Sequence, residues 1–128
     1  MNDEQTALSR RLVACKGFRW LPGMQTDSKF ARVVAVDDHG APCAAEAGAT
    51  QDDCHAVWLD GVRVLPDLTD PATLGCLLAL VREVWGDPRA YIRATFGWEL
   101  ITDYCVGKYP PGGETEAEAL VAALEGAP

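Results

Sequence analysis

The longest apolar-periodic stretch of the chain lies between Leu65 and Pro88, and it predicts a helix. Successive residues in a helix are turned by about 100°, which places most leucines and valines of this stretch on one broad arc. Asp70 can cap the first turn, and Pro71 can take the first helical position, where a missing N–H costs nothing. Gly86 and the following proline then end the helix. Because the polar arc is narrow, we expect this central helix to be buried on most of its circumference.

The narrow arc of the central helix carries small residues. Gly75 and Ala79 lie four residues apart and form a stripe that continues to Arg82. A glycine inside a helix costs up to about 1 kcal/mol relative to alanine, so a close approach of another backbone would account for it. We favour a contact within the same chain. The alternative is that Gly75, Ala79 and Arg82 form a subunit interface in a homo-oligomer.

Two further helices are predicted, one near each end of the chain. Residues 3–16 follow a cap at Asn2 or Asp3, and Thr115 with Glu118 forms a capping box for a C-terminal helix. Runs of β-branched and aromatic residues predict strands at 30–36, 56–59, 62–65, 91–95 and 98–106. Asp60-Gly61 is a hairpin signal, and Pro22-Gly23 is typical of a type II turn. Residues 41–54 and 108–113 are interpreted as loops, because proline and glycine interrupt them.

This order of elements predicts an α+β fold. Strands that follow one another through short turns favour a mainly antiparallel sheet, here of about four to five strands, packed with the buried central helix and the N- and C-terminal helices. No repeat or linker divides the sequence. We therefore expect a single domain over residues 1–128.

The charge and the cysteines exclude some classes of function. A net charge of −8 argues against direct binding to nucleic acid, which needs a basic surface. The five cysteines have no paired spacing, no apolar run is long enough to span a membrane, and the first residues do not resemble a signal peptide. We therefore expect a soluble protein of a reducing cytoplasm, with no membrane association.

A metal site and an active site are two candidates for chemistry in this chain. His39, Cys43, Cys54 and His55 lie in and beside one acidic loop, but their spacing matches no common zinc signature. Such loops are more often simply solvated, so we expect no metal. Nucleophile elbows, phosphate-binding loops and dinucleotide fingerprints are also missing from the sequence. We expect neither a cofactor nor enzymatic activity.

A binding face is the remaining candidate for chemistry. Arg89, Tyr91, Arg93 and Trp98 bring guanidinium groups and rings together on one predicted hairpin, with Phe96 at its turn. Arginine forks and aromatic plates would suit a nucleotide or another phosphorylated ligand. In the more common arrangement, the rings belong to the core and the arginines are solvated at its rim.

Three segments of the chain resemble small uncharacterised proteins of tailed phages and prophages. They are LPDLTDPATLGCLLALVREVWGDP in the centre, RRLVACKGFRWLPGM near the start and TEAEALVAALEGAP at the end. The resemblance implies no catalytic residue. It does imply an accessory protein that acts against host defence, either by sequestering a nucleotide signal or by blocking a defence protein.

The function expected from the sequence is therefore non-enzymatic. The leading hypothesis is a phage accessory protein that binds and sequesters a host ligand, a nucleotide immune signal, through Arg89, Tyr91, Arg93 and Trp98. The alternative is an acidic inhibitor of a host defence complex, comparable to proteins that block CRISPR effectors. A structural or regulatory phage protein is a further alternative.

Overall fold

The computed structural model describes residues 1–28, 31–46, 57–58, 64–103 and 111–127. In these ranges the chain forms helices α1 (Asp3–Val13), α2 (Pro71–Val84) and α3 (Glu116–Glu125). The strands are β1 (Ala31–Val36), β2 (Pro42–Glu46), β3 (Val57–Trp58), β4 (Tyr91–Ala94), β5 (Trp98–Ile101) and β6 (Gly112–Gly113). The fold is α+β, as predicted, with antiparallel strand pairs throughout the described residues.

The chain divides into two compact units. The first unit consists of Met1–Ser9 and Arg19–Cys76, and the second consists of Arg10–Phe18 and Leu77–Pro128. The division falls inside α1 and inside α2, so each of these helices contributes residues to both units. The single domain expected from the sequence stays a prediction.

Strands β1, β2 and β3 form the sheet of the first unit, in that order. The Asp37 carboxylate closes the turn between β1 and β2, since it accepts hydrogen bonds from the backbone N–H groups of His39 and Ala41, both at 2.8 Å. Since Pro42–Glu46 forms β2, the prediction of a loop over 41–54 is wrong for these residues. Alanine has little strand preference and proline suggests a break, but Pro42 is the first residue of the strand, where proline is tolerated.

Extended backbone continues this sheet beyond β1. The Val33 N–H donates to the Met24 carbonyl, and the Gly23 N–H donates to the Val33 carbonyl, both at 2.8 Å. On the other side of the segment, the Asp67 N–H donates to the Gln25 carbonyl at 2.8 Å. The type II turn predicted at Pro22-Gly23 is present at the start of this ladder. Gly23 has φ +103°, and the Met24 N–H donates to the Leu21 carbonyl at 3.2 Å.

Helix α2 has the predicted caps. The Asp70 carboxylate accepts a hydrogen bond from the Thr73 N–H at 2.9 Å at the N-terminus. At the C-terminus Gly86 takes φ +63°, and its N–H and that of Asp87 bond back to the carbonyls of Glu83 and Arg82 in a Schellman motif. Leu77, Leu80 and Val81 are buried.

The sheet of the second unit contains β4, β5 and β6 and packs against α3. Leu100 from β5 and Leu120, Val121 and Leu124 from α3 are buried. The Thr115 side chain caps α3, as predicted, by accepting from the Glu118 N–H at 3.1 Å. The predicted loop at Gly112-Gly113 is a strand instead. Two glycines give no side-chain periodicity, yet a Cβ at Gly112 would lie 2.6 Å from the Trp98 carbonyl oxygen.

The strands of the described residues thus lie in two three-stranded sheets, where the sequence predicted one sheet of about four to five strands. Strands pair with their neighbours in the sequence, and α2 lies in the chain between the two sets. The predicted hairpin at Asp60-Gly61 lies outside the described residues. The strand predicted over 98–106 ends at Ile101 instead: residues 102 and 103 are not in a strand, and residues 104–106 lie outside the described residues. No helix in the described part of the chain is long and apolar enough to span a bilayer.

Candidate functional site

A turn at the end of α2 places Arg89 in front of β4. The Asp87 carboxylate accepts hydrogen bonds from the Arg89 N–H at 2.9 Å and from the Thr102 hydroxyl at 2.7 Å. These bonds hold the pKa of the Asp87 carboxyl below its ordinary value, and the bond from the Thr102 hydroxyl has the largest effect. Because Asp87 is buried and bonded on both oxygens, the backbone at Arg89 has a defined conformation, while the Arg89 side chain is exposed.

The register of β4 and β5 separates the four predicted contact residues. Arg93 lies opposite Glu99, and Ala94 lies opposite Trp98. Directly opposed residues point to the same face of a sheet, and neighbours along a strand point to opposite faces. Tyr91 and Arg93 therefore share one face with Glu99, whereas Trp98 lies on the other face with the buried Leu100. The structure brings Tyr91 and Arg93 together and places Trp98 away from them.

Arg93 is held in place by an ion pair across the hairpin. Its Nη2 donates to Glu99 Oε1 at 2.7 Å, and half of the arginine side chain is exposed. The hydrogen bond to Glu99 raises the pKa of the guanidinium above its already high ordinary value, so Arg93 is charged at every accessible pH. Tyr91, on the same face, is 45% exposed.

Phe96 forms the tip of the hairpin and is fully exposed. The turn around it is tight, since the Thr95 N–H donates to the Gly97 carbonyl at 2.7 Å. A single large apolar side chain at such a tip has no neighbouring surface to cover it. The sequence placed Phe96 among the rings of the candidate binding face, and the extent of its exposure is visible only in the fold.

The three residues of the proposed helix stripe have different environments. Gly75 is exposed, and a Cβ built on it would meet nothing within 4 Å, so the favoured contact within the chain is not found among the described residues. Ala79 is also exposed. Arg82 is half-buried, and its Nε donates to the Ala90 carbonyl at 2.7 Å. The subunit interface stays a prediction.

The histidine and cysteine cluster can be followed only in part. His39 is exposed in the turn after β1, whereas Cys43 is buried in β2. Cys54 and His55 lie outside the described residues. Within the described ranges, no group of three or more His, Cys, Asp or Glu side chains is arranged to hold a metal ion.

A groove in the second unit was not predicted from the sequence. It has a volume of about 610 Å³ and lies between the end of α1 and the end of α3. Its lining consists of Arg11, Ala14, Cys15, Lys16, Gly17, Val84, Leu124, Glu125 and Ala127. These residues come from three separate parts of the sequence, 11–17, 84 and 124–127, and share no motif, so only the fold could reveal the three parts as neighbours.

Comparison of the chain with protein-family models, with curated proteins and with solved structures found no significant match to any of them.

Proposed function

We propose that this protein is a non-catalytic binding protein that attaches to another protein through the β4–β5 hairpin. The observation that carries the proposal is the full exposure of Phe96 at the hairpin tip. An exposed phenylalanine does not stabilise the isolated fold, but its burial by a partner contributes about 1.5–3 kcal/mol to the free energy of binding. We define the hairpin surface as Arg89, Tyr91, Arg93 and Phe96.

The residue types on the hairpin surface support a protein partner. Tyrosine and arginine are enriched among the residues that dominate binding energy at protein interfaces, and aromatic residues are enriched there generally. The ion pair with Glu99 already restricts the Arg93 side chain. Less conformational entropy is therefore lost when a partner contacts it.

The geometry of the hairpin favours a protein over a small ligand. Small-molecule sites are concave and bury most of the ligand surface. The hairpin surface projects from its sheet at Phe96, and Trp98 lies on the opposite face from Tyr91 and Arg93. A partner with a small apolar pocket could enclose Phe96 and accept hydrogen bonds from the arginines at the rim.

The proposed class of partner comes from the resemblance to small phage proteins. Small accessory proteins of phages often act against host defence, so the partner proposed here is a host defence protein, which the bound hairpin would block. The net charge of −8 would keep the inhibitor from binding nucleic acid in the same complex.

The experiment compares two hairpin variants with a matched control. Phe96→Ser removes the apolar tip, Arg93→Gln removes the charge, and Arg10→Gln on α1 serves as the charge control. Proteins captured from bacterial host cells by the wild type are purified, and their affinities are measured directly. We expect Phe96→Ser to weaken binding at least about tenfold and Arg10→Gln to leave it unchanged. Equal affinity of the wild type and Phe96→Ser for every captured protein would refute the proposal.

Sequestration of a nucleotide signal is the second candidate function. It is supported by the exposed Arg93, which shares a strand face with the exposed ring of Tyr91, and by the exposed Arg89 two residues before that tyrosine, since arginine binds phosphate and rings stack on bases. A panel of cyclic nucleotides tests it by thermal shift. One tight ligand at 100-fold excess over its Kd should stabilise the protein by about 2.7 kcal/mol, and Arg93→Gln should reduce that shift. A panel without any shift would exclude these nucleotides as ligands.

A further inference from the structure

The groove between the ends of α1 and α3 shares no residue with the hairpin surface. Its volume of about 610 Å³ falls within the range of about 300–1,000 Å³ that is usual for small-molecule sites. All of its lining residues belong to the second unit. The polarity of its floor and the charge of its rim decide which ligands it can bind.

The floor of the groove is apolar and contains no side chain at Gly17. A Cβ at this position would lie 2.5 Å from Val84 Cγ1 and 3.6 Å from Leu124 Cδ2. The backbone of Gly17 therefore approaches Val84 more closely than a residue with a Cβ could, whereas a Cβ would lie at ordinary contact distance from Leu124. Leu124 is 4% exposed, so it forms a packed base rather than a mobile side chain. An alkyl or aryl group could contact this floor without burying a polar group.

The thiol of Cys15 adds a neutral wall. Its Sγ lies 3.4 Å from the Arg11 carbonyl oxygen, to which it donates, and partial burial raises the pKa of the thiol. A thiol with a raised pKa is protonated at neutral pH, and it behaves as a small apolar group rather than as a nucleophile. The wall therefore suits reversible binding.

Among the described residues that line the groove, the rim carries a positive charge that is not paired with a carboxylate. Arg11 donates two hydrogen bonds to Glu125, at 3.3 Å from Nε and 2.5 Å from Nη2, so these two charges are paired. Lys16 is exposed, and no hydrogen bond or ion pair joins its ammonium group to another residue in the described part of the chain. The groove thus has a cationic rim in a protein whose net charge is −8.

We propose that this groove binds a free small amphipathic acid, with its alkyl or aryl body on the floor at Gly17 and Val84, beneath which Leu124 is packed, and its anionic head group at Lys16. Charge complementarity determines the choice: a cationic amphiphile would be repelled at the rim, and an uncharged one would lose the bond to Lys16. A carboxylate, a sulfonate or a phosphate monoester would satisfy the same ammonium donors. The proposal is independent of the proposed protein partner.

The test uses decanoate as the probe, below its micellar concentration, and titration calorimetry on the full chain. Decanol and decyltrimethylammonium have the same alkyl body with a neutral or a cationic head group. We expect decanoate to bind more tightly than decanol, and we expect no binding of the cation. Equal binding of all three probes, or no binding of decanoate, would overturn the proposal.

Two variants with the same change in net charge locate the head group. Lys16→Gln removes the rim cation and should weaken decanoate binding about tenfold while leaving decanol binding unchanged. Arg10→Gln removes a cation from α1 that does not line the groove, so it should leave decanoate binding unchanged. An equal loss in both variants would mean that decanoate responds only to overall charge, and it would refute the site.

Two further measurements locate the alkyl body and identify the source of the anion. Ala14→Phe introduces bulk at the groove wall on an exposed position and should abolish decanoate binding without unfolding the protein, which circular dichroism checks. Co-sedimentation with phosphatidylglycerol vesicles tests whether a lipid surface is the anionic partner instead. Vesicle binding that Lys16→Gln abolishes, without binding of free decanoate, would assign the groove to a membrane lipid and overturn the proposal of a free acid. Phe96→Ser should not affect decanoate binding.

Discussion

At the scale of single residues, the Asp70 carboxylate joins several parts of the first unit. It accepts hydrogen bonds from the Thr73 N–H and hydroxyl at the start of α2 and from both terminal nitrogens of Arg32 in β1 at 3.0 Å. Arg32 in turn donates to the Gly23 carbonyl at 2.6 Å. Only 16% of the Asp70 side chain is exposed, so this pair is better shielded from water than a surface ion pair. One carboxylate therefore connects a helix cap, a strand and a turn within the first unit.

The Asp70 network should make stability depend on acid pH. The bonds from Arg32, and then those from Thr73, lower the pKa of Asp70 below its unfolded value of 3.8. A lowered pKa stabilises the folded state above about pH 4, and this stabilisation is lost as the pH falls through the lower, folded pKa. We expect Asp70→Asn to flatten the loss of stability below pH 4, measured by urea unfolding at several pH values.

Comparison with Asp70→Ala separates the ion pair from the helix cap. Asparagine can still accept from the Thr73 N–H, whereas alanine cannot, so Asp70→Ala should be less stable than Asp70→Asn by about 1 kcal/mol at pH 7. Both variants should show the same flattened pH dependence. An unchanged acid profile in Asp70→Asn would show that another carboxyl dominates the transition.

Gly17 allows a second prediction at this scale. Gly17→Ala would place a methyl group 2.5 Å from Val84 Cγ1, and the β-branched valine cannot rotate away easily in a helix. We expect a destabilisation of about 1–3 kcal/mol, measured by chemical unfolding. The double variant Gly17→Ala with Val84→Ala should recover part of the loss that Gly17→Ala adds to Val84→Ala. Full additivity of the two changes would argue against the contact.

At the scale of elements, the helices follow their local signals more closely than the strands do. The caps of α2 and α3 are formed by the residues predicted to form them, and Asn2 caps α1 through a reciprocal pair of bonds with Gln5 at 2.9 Å. These signals act over three or four residues, so the surrounding fold changes them little. β2 and β6 were missed, because alanine and glycine acquire a strand conformation only through their neighbours.

A substitution at Gly75 tests whether the exposed stripe of α2 makes a contact. Since a Cβ at Gly75 would meet nothing within 4 Å, Gly75→Ala should stabilise the monomer by about 0.5–1 kcal/mol. Chemical unfolding measures this change. Destabilisation by alanine would indicate a contact at Gly75 that the described residues do not contain.

Gly75→Leu then distinguishes an interface from a solvated stripe. Analytical ultracentrifugation of the wild type and of this variant should show the same mass if the stripe is solvated. A wild-type oligomer that Gly75→Leu dissociates, while the unfolding midpoint stays unchanged, would support the predicted subunit interface.

At the scale of the whole molecule, the surplus of acidic residues affects stability. With a net charge of −8 over 128 residues, the surplus acidic side chains repel one another in the compact folded state. Raising the salt concentration from about 10 mM to about 100 mM shortens the Debye length from about 30 Å to about 10 Å and weakens this repulsion. The protein should therefore be more stable in the higher salt at pH 7.

Thermal unfolding measures the effect of salt. We expect the midpoint to rise by a few degrees, since about 1 kcal/mol corresponds to roughly 4 °C in a protein of this size. The same concentration of sucrose should have a smaller effect, because it screens no charge. A lower midpoint in salt would mean that attractive pairs such as Arg32 with Asp70 outweigh the repulsion.

The amino-acid sequence by itself determined where the helices begin, their caps, the Gly23 turn and the hairpin of β4 and β5, although α1 ends at Val13 and not at residue 16 as predicted. Each depends on residues close in the chain, whose conformational preferences are expressed wherever they occur. It also placed Arg89, Tyr91 and Arg93 on one hairpin, because alternation along a strand is a local property.

Only the tertiary structure decided how distant segments meet. It divided the strands into two sheets, placed Trp98 on the face opposite Tyr91, left Phe96 uncovered and formed a groove from the ends of α1 and α3. The physical reason is that register and burial depend on which surfaces are removed from water together, and that choice involves the folded chain rather than any short segment of it.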